Sequence, residues 1–317
     1  MPIVSVNRPY SKRVLNKAAI AGLYIVAGML PFDASSSEAV EAIQPSERIQ
    51  KIMSLDRPLV IAHRGYSMAA PENTLPAFRL GVLAESDLVE LDYFHSADGV
   101  PVVLHDSTLD RTTDAPARWN ENRIAVASKT VAELRELDAG SWFDPVFRGV
   151  GIPTLEESLD VIQPGSITLI ERKRGDPATL IELLKRRGEL NDVIVQAFDW
   201  EFLAGCNELA PGVVLGALGP PRRPDGSRYP VNERFLNSDF LDMIEKTGAA
   251  VVGWNRQVTK ESVADARSRG LRVWIYTIND LDTSLGLLDM GVDGIISDNP
   301  AMVWKALALR NSVVAGD

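Results

Sequence analysis

From Pro58 onward the chain repeats one pattern: a short apolar run, a stretch with helical period, then another short apolar run. The runs fall at 59–62, 88–92, 100–104, 167–171, 193–197, 213–217, 250–253, 272–277 and 294–296. Helix-period segments fill most of the gaps, at 75–84, 178–187, 200–209, 238–246, 260–268 and 280–288. Strands separated by helices cannot meet through tight hairpins. They need crossovers, and crossovers make parallel sheets. The fold class is therefore α/β, and eight such units close into a TIM (β/α)8 barrel. A doubly wound open sheet is the alternative, but no glycine-rich dinucleotide loop follows the first run. The length of 317 residues suits one barrel with additions. The rhythm breaks between about 109 and 154, where Thr130 and Glu133 form a capping-box pair; this stretch is expected to be an insertion over one end of the barrel. A second long loop is expected at 220–229, rich in Pro, Arg and Gly.

The first 33 residues differ in kind. Arg8, Lys12, Arg13 and Lys17 precede an unbroken apolar run, 18–32, which Asp33 ends. A basic start, roughly 7–15 apolar residues and then small polar ones is the layout of a secretory signal. A packed N-terminal helix and an uncleaved membrane anchor are the alternatives. The expected organisation is a leader over 1–33, an extension over 34–57 and the barrel over 58–317, in an exported (periplasmic or secreted) protein that touches a membrane only through an uncleaved leader. A single cysteine, Cys206, excludes an internal disulfide framework and any cysteine-rich zinc module. With 33 Lys+Arg against 43 Asp+Glu, the net charge of −10 argues against nucleic acid as a partner. An anionic small molecule would have to be held by local cations or a metal.

Two of the three histidines follow apolar runs, as His63-Arg64-Gly65 and His105-Asp106. At the C-terminal ends of parallel strands they would face one another across the barrel mouth, where such folds keep their chemistry. In the run 88–92, alternation puts Glu90 and Asp92 on one face; in the run ending at Glu171, it puts Glu171 and Lys173 together and Arg172 opposite. Acidic side chains on a buried face are costly unless a cation compensates them. Three carboxylates form a hard, all-oxygen site suited to one divalent cation, Mg²⁺ or Ca²⁺. Pairing of these carboxylates with nearby Arg or Lys in a purely structural role is the competing reading. Phosphoryl chemistry asks for charge stabilisation plus an acid and a base, and two histidines near their ordinary pKa of about 6.5 divide those tasks. The residues alone thus reach metal-assisted phosphodiester cleavage.

The same residues resemble the glycerophosphodiester phosphodiesterase family. The resemblance runs over about 58–305 through Ala62-His63-Arg64-Gly65, Ala70-Pro71-Glu72-Asn73-Thr74, Glu90-Leu91-Asp92, Asp98-Gly99-Val100-Pro101-Val102-Val103 and His105-Asp106-Ser107-Thr108-Leu109-Asp110-Arg111-Thr112-Thr113. It continues through Leu137-Asp138-Ala139-Gly140-Ser141-Trp142-Phe143, Ile152-Pro153-Thr154-Leu155, Glu171-Arg172-Lys173 and Asp293-Gly294-Ile295-Ile296-Ser297-Asp298-Asn299-Pro300. It implies a TIM barrel with a small insertion after the second catalytic histidine. It implies metal-dependent hydrolysis of glycerophosphodiesters to sn-glycerol 3-phosphate and an alcohol. His63 and His105 resemble the family's acid–base pair, Glu90, Asp92 and Glu171 its metal ligands, and Arg64 and Lys173 its phosphate-binding cations. Trp142, Phe143 and Tyr276 are expected at the substrate pocket, and Tyr276 stands where a Trp is common. Glu72 is expected to orient its neighbours, and His95 to lie at the surface. Lipid phosphodiester cleavage of the lysophospholipase D kind and non-catalytic binding of a phosphorylated ligand are the alternative functions.

Overall fold

The computed structural model describes residues 42–314, and in it the apolar runs become strands paired side by side. The leader expected over 1–33 and the first part of the extension lie outside the described residues. The elements run α1 (Glu47–Met53), β1 (Leu59–Ala62), α2 (Leu75–Leu83), β2 (Leu88–His95), β3 (Pro101–Val103), α3 (Ala115–Trp119), α4 (Val131–Leu134), α5 (Leu155–Ile162), β4 (Ile167–Arg172), α6 (Pro177–Arg187) and β5 (Val193–Ala197). They continue with α7 (Trp200–Leu209), β6 (Val214–Gly219), α8 (Ser238–Glu245), β7 (Val251–Trp254), α9 (Lys260–Ser268), β8 (Arg272–Ile275), α10 (Leu281–Met290), β9 (Gly294–Ser297) and α11 (Pro300–Val314). Strands β1, β2 and β4–β9 are parallel neighbours, and β1 pairs with both β2 and β9, so the sheet closes into the expected barrel. No helix among the described residues is long and apolar enough to cross a membrane.

Alternation divides every strand between two cores. Val60, Val89, Leu91, Ile170, Val195, Val252 and Ile295 point outward and pack under the helices. Leu59, Ile61, Leu88, Ile167, Leu169, Ile194, Trp274 and Ile296 fill the lower lumen, and Ile49 of α1 closes it from below. Gly294 makes room there: a Cβ on it would stand 2.7 Å from Cδ1 of Trp274.

The run at 100–104 departs from expectation. It does not join the ring as a parallel strand; β3 pairs antiparallel with β2, with Tyr93 opposite Val103 and His95 opposite Pro101. The cause is local. Gly99 takes a left-handed φ of 78° in the turn, and the Ser96 hydroxyl donates to Asp98 Oδ1 and accepts from the Val100 N–H. The hairpin rises past the rim and returns, so that Leu104 N–H bonds the Asp92 carbonyl at 3.0 Å and His105 arrives beside Asp92.

The insertion has its own small core. Leu109, Ile124, Val126, Leu134 and Leu137 pack on Phe94, Val102 and Leu104 of the hairpin. The Thr130–Glu133 capping box opens α4 as expected. A second box, Thr154 with Glu157, opens α5, which completes the crossover from β2 to β4.

Candidate active site

The rim is built by continuing the inward face of each strand beyond the apolar layer. On β2, Leu88 is followed by Glu90 and Asp92; on β4, Leu169 by Glu171 and Lys173; on β1, Ile61 by His63; on β9, Ile296 by Asp298. Register sets Asp92 level with Glu171 on the neighbouring strand. Glu90, Asp92 and Glu171 are buried, and one carboxylate oxygen from each lies within 4.8 Å of the others.

Two turns lock this geometry. Gly65 adopts φ 80° against α2, where a Cβ would come within 2.5 Å of the Ala77 carbonyl carbon. The preceding Arg64 is held left-handed at φ 55°, a conformation that costs a non-glycine residue about 1–3 kcal/mol. The strained turn aims the Arg64 N–H at Glu90 Oε2, 2.8 Å away. Asn73, also left-handed, clamps Asp92: its Nδ2 donates to Asp92 Oδ2 at 2.8 Å, and its Oδ1 accepts from the Asp92 N–H at 3.1 Å.

Charge is balanced unevenly across the trio. Burial alone would favour a neutral Asp92, but Lys173, whose Nζ lies 3.0 Å from Oδ1, and Arg64, whose Nε lies 3.3 Å from Oδ2, outweigh it and hold the group well below the usual carboxylate range. Burial raises Glu90, and repulsion from Asp92 and Glu171 raises it further. Burial also pushes Glu171 up, to about 7, although Lys173 Nζ donates to it. Glu90 Oε1 is buried without a hydrogen-bonding partner, and Asp92 Oδ1 meets the Lys173 ammonium as an ion pair outside hydrogen-bonding geometry. A cage of hard oxygens with unused lone pairs fits a divalent cation.

Each imidazole is backed by a carboxylate. His63 Nδ1 lies 2.6 Å from Asp298 Oδ1, and His105 Nδ1 lies 2.7 Å from Asp106 Oδ1. Burial works against the Asp298 carboxylate, yet hydrogen bonds from His63, Asn279 and Ser67 bring it down to about 2. Asp106 also sits at about 2, mainly through its bond from Arg111. An ionised carboxylate only accepts, so Nδ1 carries the hydrogen in both rings and Nε2 is left as the free nitrogen. Burial, with Lys173 and Arg64 adding to it, lowers the His105 pKa against the pull of Asp92 and Asp106. Both imidazoles lie close enough to Asp92 to act on its charge.

Arg111 ties the two sides together. It donates to Asp106 at 2.6 Å and to both oxygens of Glu72 at 2.8 Å, and Glu72 in turn accepts from Arg64 Nη1 at 2.7 Å. The orienting role expected of Glu72 thus has a geometry. Sequence reasoning assigned no role to Asn73, Arg111, Asp106 or Asp298, although Asp298 could have been found by counting in twos from Gly294.

A cavity of about 320 Å³ opens beside His63 and Arg64, lined also by Ser67, Glu72, Asn279 and Asp298. A narrower one below it brings together His63, Glu90, Glu171, Gln196, Phe198 and Tyr276. Tyr276 presents its ring there, since its hydroxyl donates to the Gly219 carbonyl at 2.6 Å. Trp142 and Phe143 line neither cavity; they stack edge-to-face within the insertion, Phe143 also on Phe147. His95 is not the surface residue expected. It is half-buried outside the barrel, its Nε2 covered and unpartnered beneath Gly175, because β2 extends beyond Asp92 and carries it under the loop after β4.

Parallel barrels keep their chemistry at this rim, and an oxygen cage flanked by fixed cations suits the charge that builds on phosphorus esters, so fold and site define a barrel phosphodiesterase. The model of the glycerophosphoryl diester phosphodiesterase family matches residues 63–302. The chain belongs to this family. It is 30% identical to a glycerophosphodiester phosphodiesterase of Bacillus subtilis, over 92% of this chain and 98% of the relative. It is also 30% identical to one from Caldanaerobacter subterraneus, over 77% of this chain and 95% of the relative. Among solved structures, an Oleispira antarctica phosphodiesterase in complex with the product sn-glycerol-3-phosphate superposes with a TM-score of 0.68 at 29% identity, covering 80% of this chain and 97% of the other. A glycerophosphodiester phosphodiesterase from Agrobacterium tumefaciens gives 0.64 at 26%, covering 78% and 98%.

Proposed function

We propose that the protein hydrolyses glycerophosphodiesters to sn-glycerol 3-phosphate and an alcohol, with one divalent cation, Mg²⁺ or Ca²⁺, held by Glu90, Asp92 and Glu171. The observation that carries this reading is the placing of two carboxylate-backed imidazoles around one buried trio of acids with an unpartnered Glu90 oxygen. When bound, the cation would supply positive charge to the phosphoryl oxygens.

The chain's own residues do the rest. Arg64 sits at the mouth of the larger cavity and meets the phosphoryl group there. Lys173 balances the acids from the opposite side. His63, with Nδ1 held by Asp298, takes a proton from the attacking hydroxyl at Nε2. His105, in its imidazolium form with Nδ1–H held by Asp106, gives the Nε2 proton to the departing alkoxide and is left as the neutral imidazole. Burial lowers its pKa, which makes its conjugate acid the stronger donor. Tyr276 and Phe198 wall the inner cavity.

A leaving-group comparison tests the division of labour. A p-nitrophenyl phosphodiester departs without help from an acid, whereas an alkyl alcohol does not. His105→Ala should lose about 10²- to 10⁴-fold on glycerophosphocholine but far less on the aryl ester. His63→Ala should lose comparably on both. Equal losses for His105→Ala on the two substrates would remove it as the acid. Full turnover of the native protein in EDTA would end the metal reading. The basic-then-apolar order of residues 1–33 supports export of this activity, which a fusion of that segment to a secretion reporter tests.

A further inference from the structure

A groove of about 1110 Å³ lies beyond the inner cavity, between the loop after β5 and the loop after β6. Phe198 belongs to both spaces, so its ring stands at the doorway between the catalytic cage and the groove. Trp200 and Tyr229 give the groove aromatic surface. Both are fixed: Trp200 Nε1 donates to the Leu218 carbonyl at 2.9 Å, and Tyr229 stacks on Phe240.

Its charge is unusual for this acidic protein. Arg222, Arg223, Arg228 and Arg234 line it. Arg223 pairs with Glu233, but among the described residues no carboxylate pairs with Arg222, Arg228 or Arg234. Two carboxylates also reach the groove. Asp199 is committed to Arg172 at 2.7 Å and to capping α7, which leaves Glu201 as the opposing charge. Arg222 and Arg228 face each other across an isolated antiparallel bridge. Like charges directly opposite one another on a ladder repel, and an anion placed near both would relieve this exposed pair, of which Arg222 also donates to the Gly226 carbonyl at 2.9 Å. Guanidinium groups suit such an anion because they bind phosphate oxygens in bidentate fashion.

We infer that this groove receives the alcohol half of the diester, and that the preferred alcohol itself carries a phosphate, held by Arg222 and Arg228. The inference rests on the hydrolase reading and extends it to the substrate class. An exposed pair of cations raises the local concentration of an anionic end and holds it in place, so its effect belongs in KM more than in kcat.

The test is a charge series on one scaffold. Glycerophosphoinositol and glycerophosphoinositol 4-phosphate differ only by the added phosphate, and glycerophosphocholine supplies a cationic end. The native protein should show kcat/KM at least about tenfold higher for the 4-phosphate than for glycerophosphoinositol, with glycerophosphocholine lowest. The preference should shrink as ionic strength rises above about 0.1 M. In the double variant Arg222→Gln, Arg228→Gln the ratio of the two inositol substrates should fall to within about twofold, through KM. Because the readout is a ratio within one preparation, a partly unfolded variant does not blur it. A native ratio near one, or a high ratio that the double variant retains, overturns the inference while leaving the hydrolase reading intact. Failure to hydrolyse any of the three overturns both.

Discussion

Along the barrel's inner face, the lower and upper lumen are made by the same strands a single residue pair apart. Leu88 gives way to Glu90, Leu169 to Glu171, Ile61 to His63 and Ile296 to Asp298. Below the crossing line, apolar side chains interlock down to an Arg272–Asp293 ion pair at the bottom rim; above it, three acids, Lys173, Arg64 and two imidazoles share one small volume. The lower layer is free to be optimised for packing. The upper layer holds raised carboxylates, a left-handed arginine and an unpartnered Glu90 oxygen, features that cost stability and persist because the packing around them holds them in place.

If the halves divide labour in this way, substitutions should separate stability from activity. The largest stability effect belongs to Trp274→Ala in the lower layer, with a loss of about 3–5 kcal/mol in denaturant unfolding and kcat per folded molecule nearly intact. Glu90→Gln should do the reverse. It should leave the metal-free protein as stable or more so above neutral pH, while divalent-ion affinity in calorimetry falls by about tenfold or more. A severe stability loss in that variant would break the comparison.

Acidity sharpens the contrast further. Glu171 has a folded pKa raised above its ordinary value, so its contribution to metal-free stability is fully present below about 4.5 and is lost as pH rises through about 7. Asp298 has a depressed pKa, so its contribution is present above about 4 and is lost as pH falls towards about 2. Metal-free unfolding curves should therefore weaken on both sides of a mildly acidic optimum. A divalent ion should restore the alkaline side and release protons on binding, measurable by calorimetry in buffers of different ionisation enthalpy. The smallest effect is expected for Arg111→Gln, whose half-exposed side chain only steadies Asp106 and Glu72. It should lower kcat about three- to tenfold and move the alkaline limb of the pH–rate profile, which reports the His105 acid, with little change in unfolding.

The alternation of short runs and helices was enough to read a closed parallel barrel, because a strand buried on both faces must be apolar and a parallel neighbour must be reached by a helix. Period two was enough to put Glu90 with Asp92 and Glu171 with Lys173. The same reasoning misplaced the direction of the run at 100–104, since a three-residue antiparallel strand and a parallel one share the same apolar signature. It also put His95 at the surface, because how far β2 climbs beyond Asp92 depends on pairing with β3.

Residue types and spacing along the chain therefore determined the architecture and the family, and nominated the side chains of the rim. Which acid stays ionised, which imidazole nitrogen is free, and how Arg111 couples Glu72 to Asp106 were decided only by the tertiary structure. These properties depend on distances between groups up to 235 residues apart, such as His63 and Asp298, and on how much water is kept from them. A linear pattern records neither.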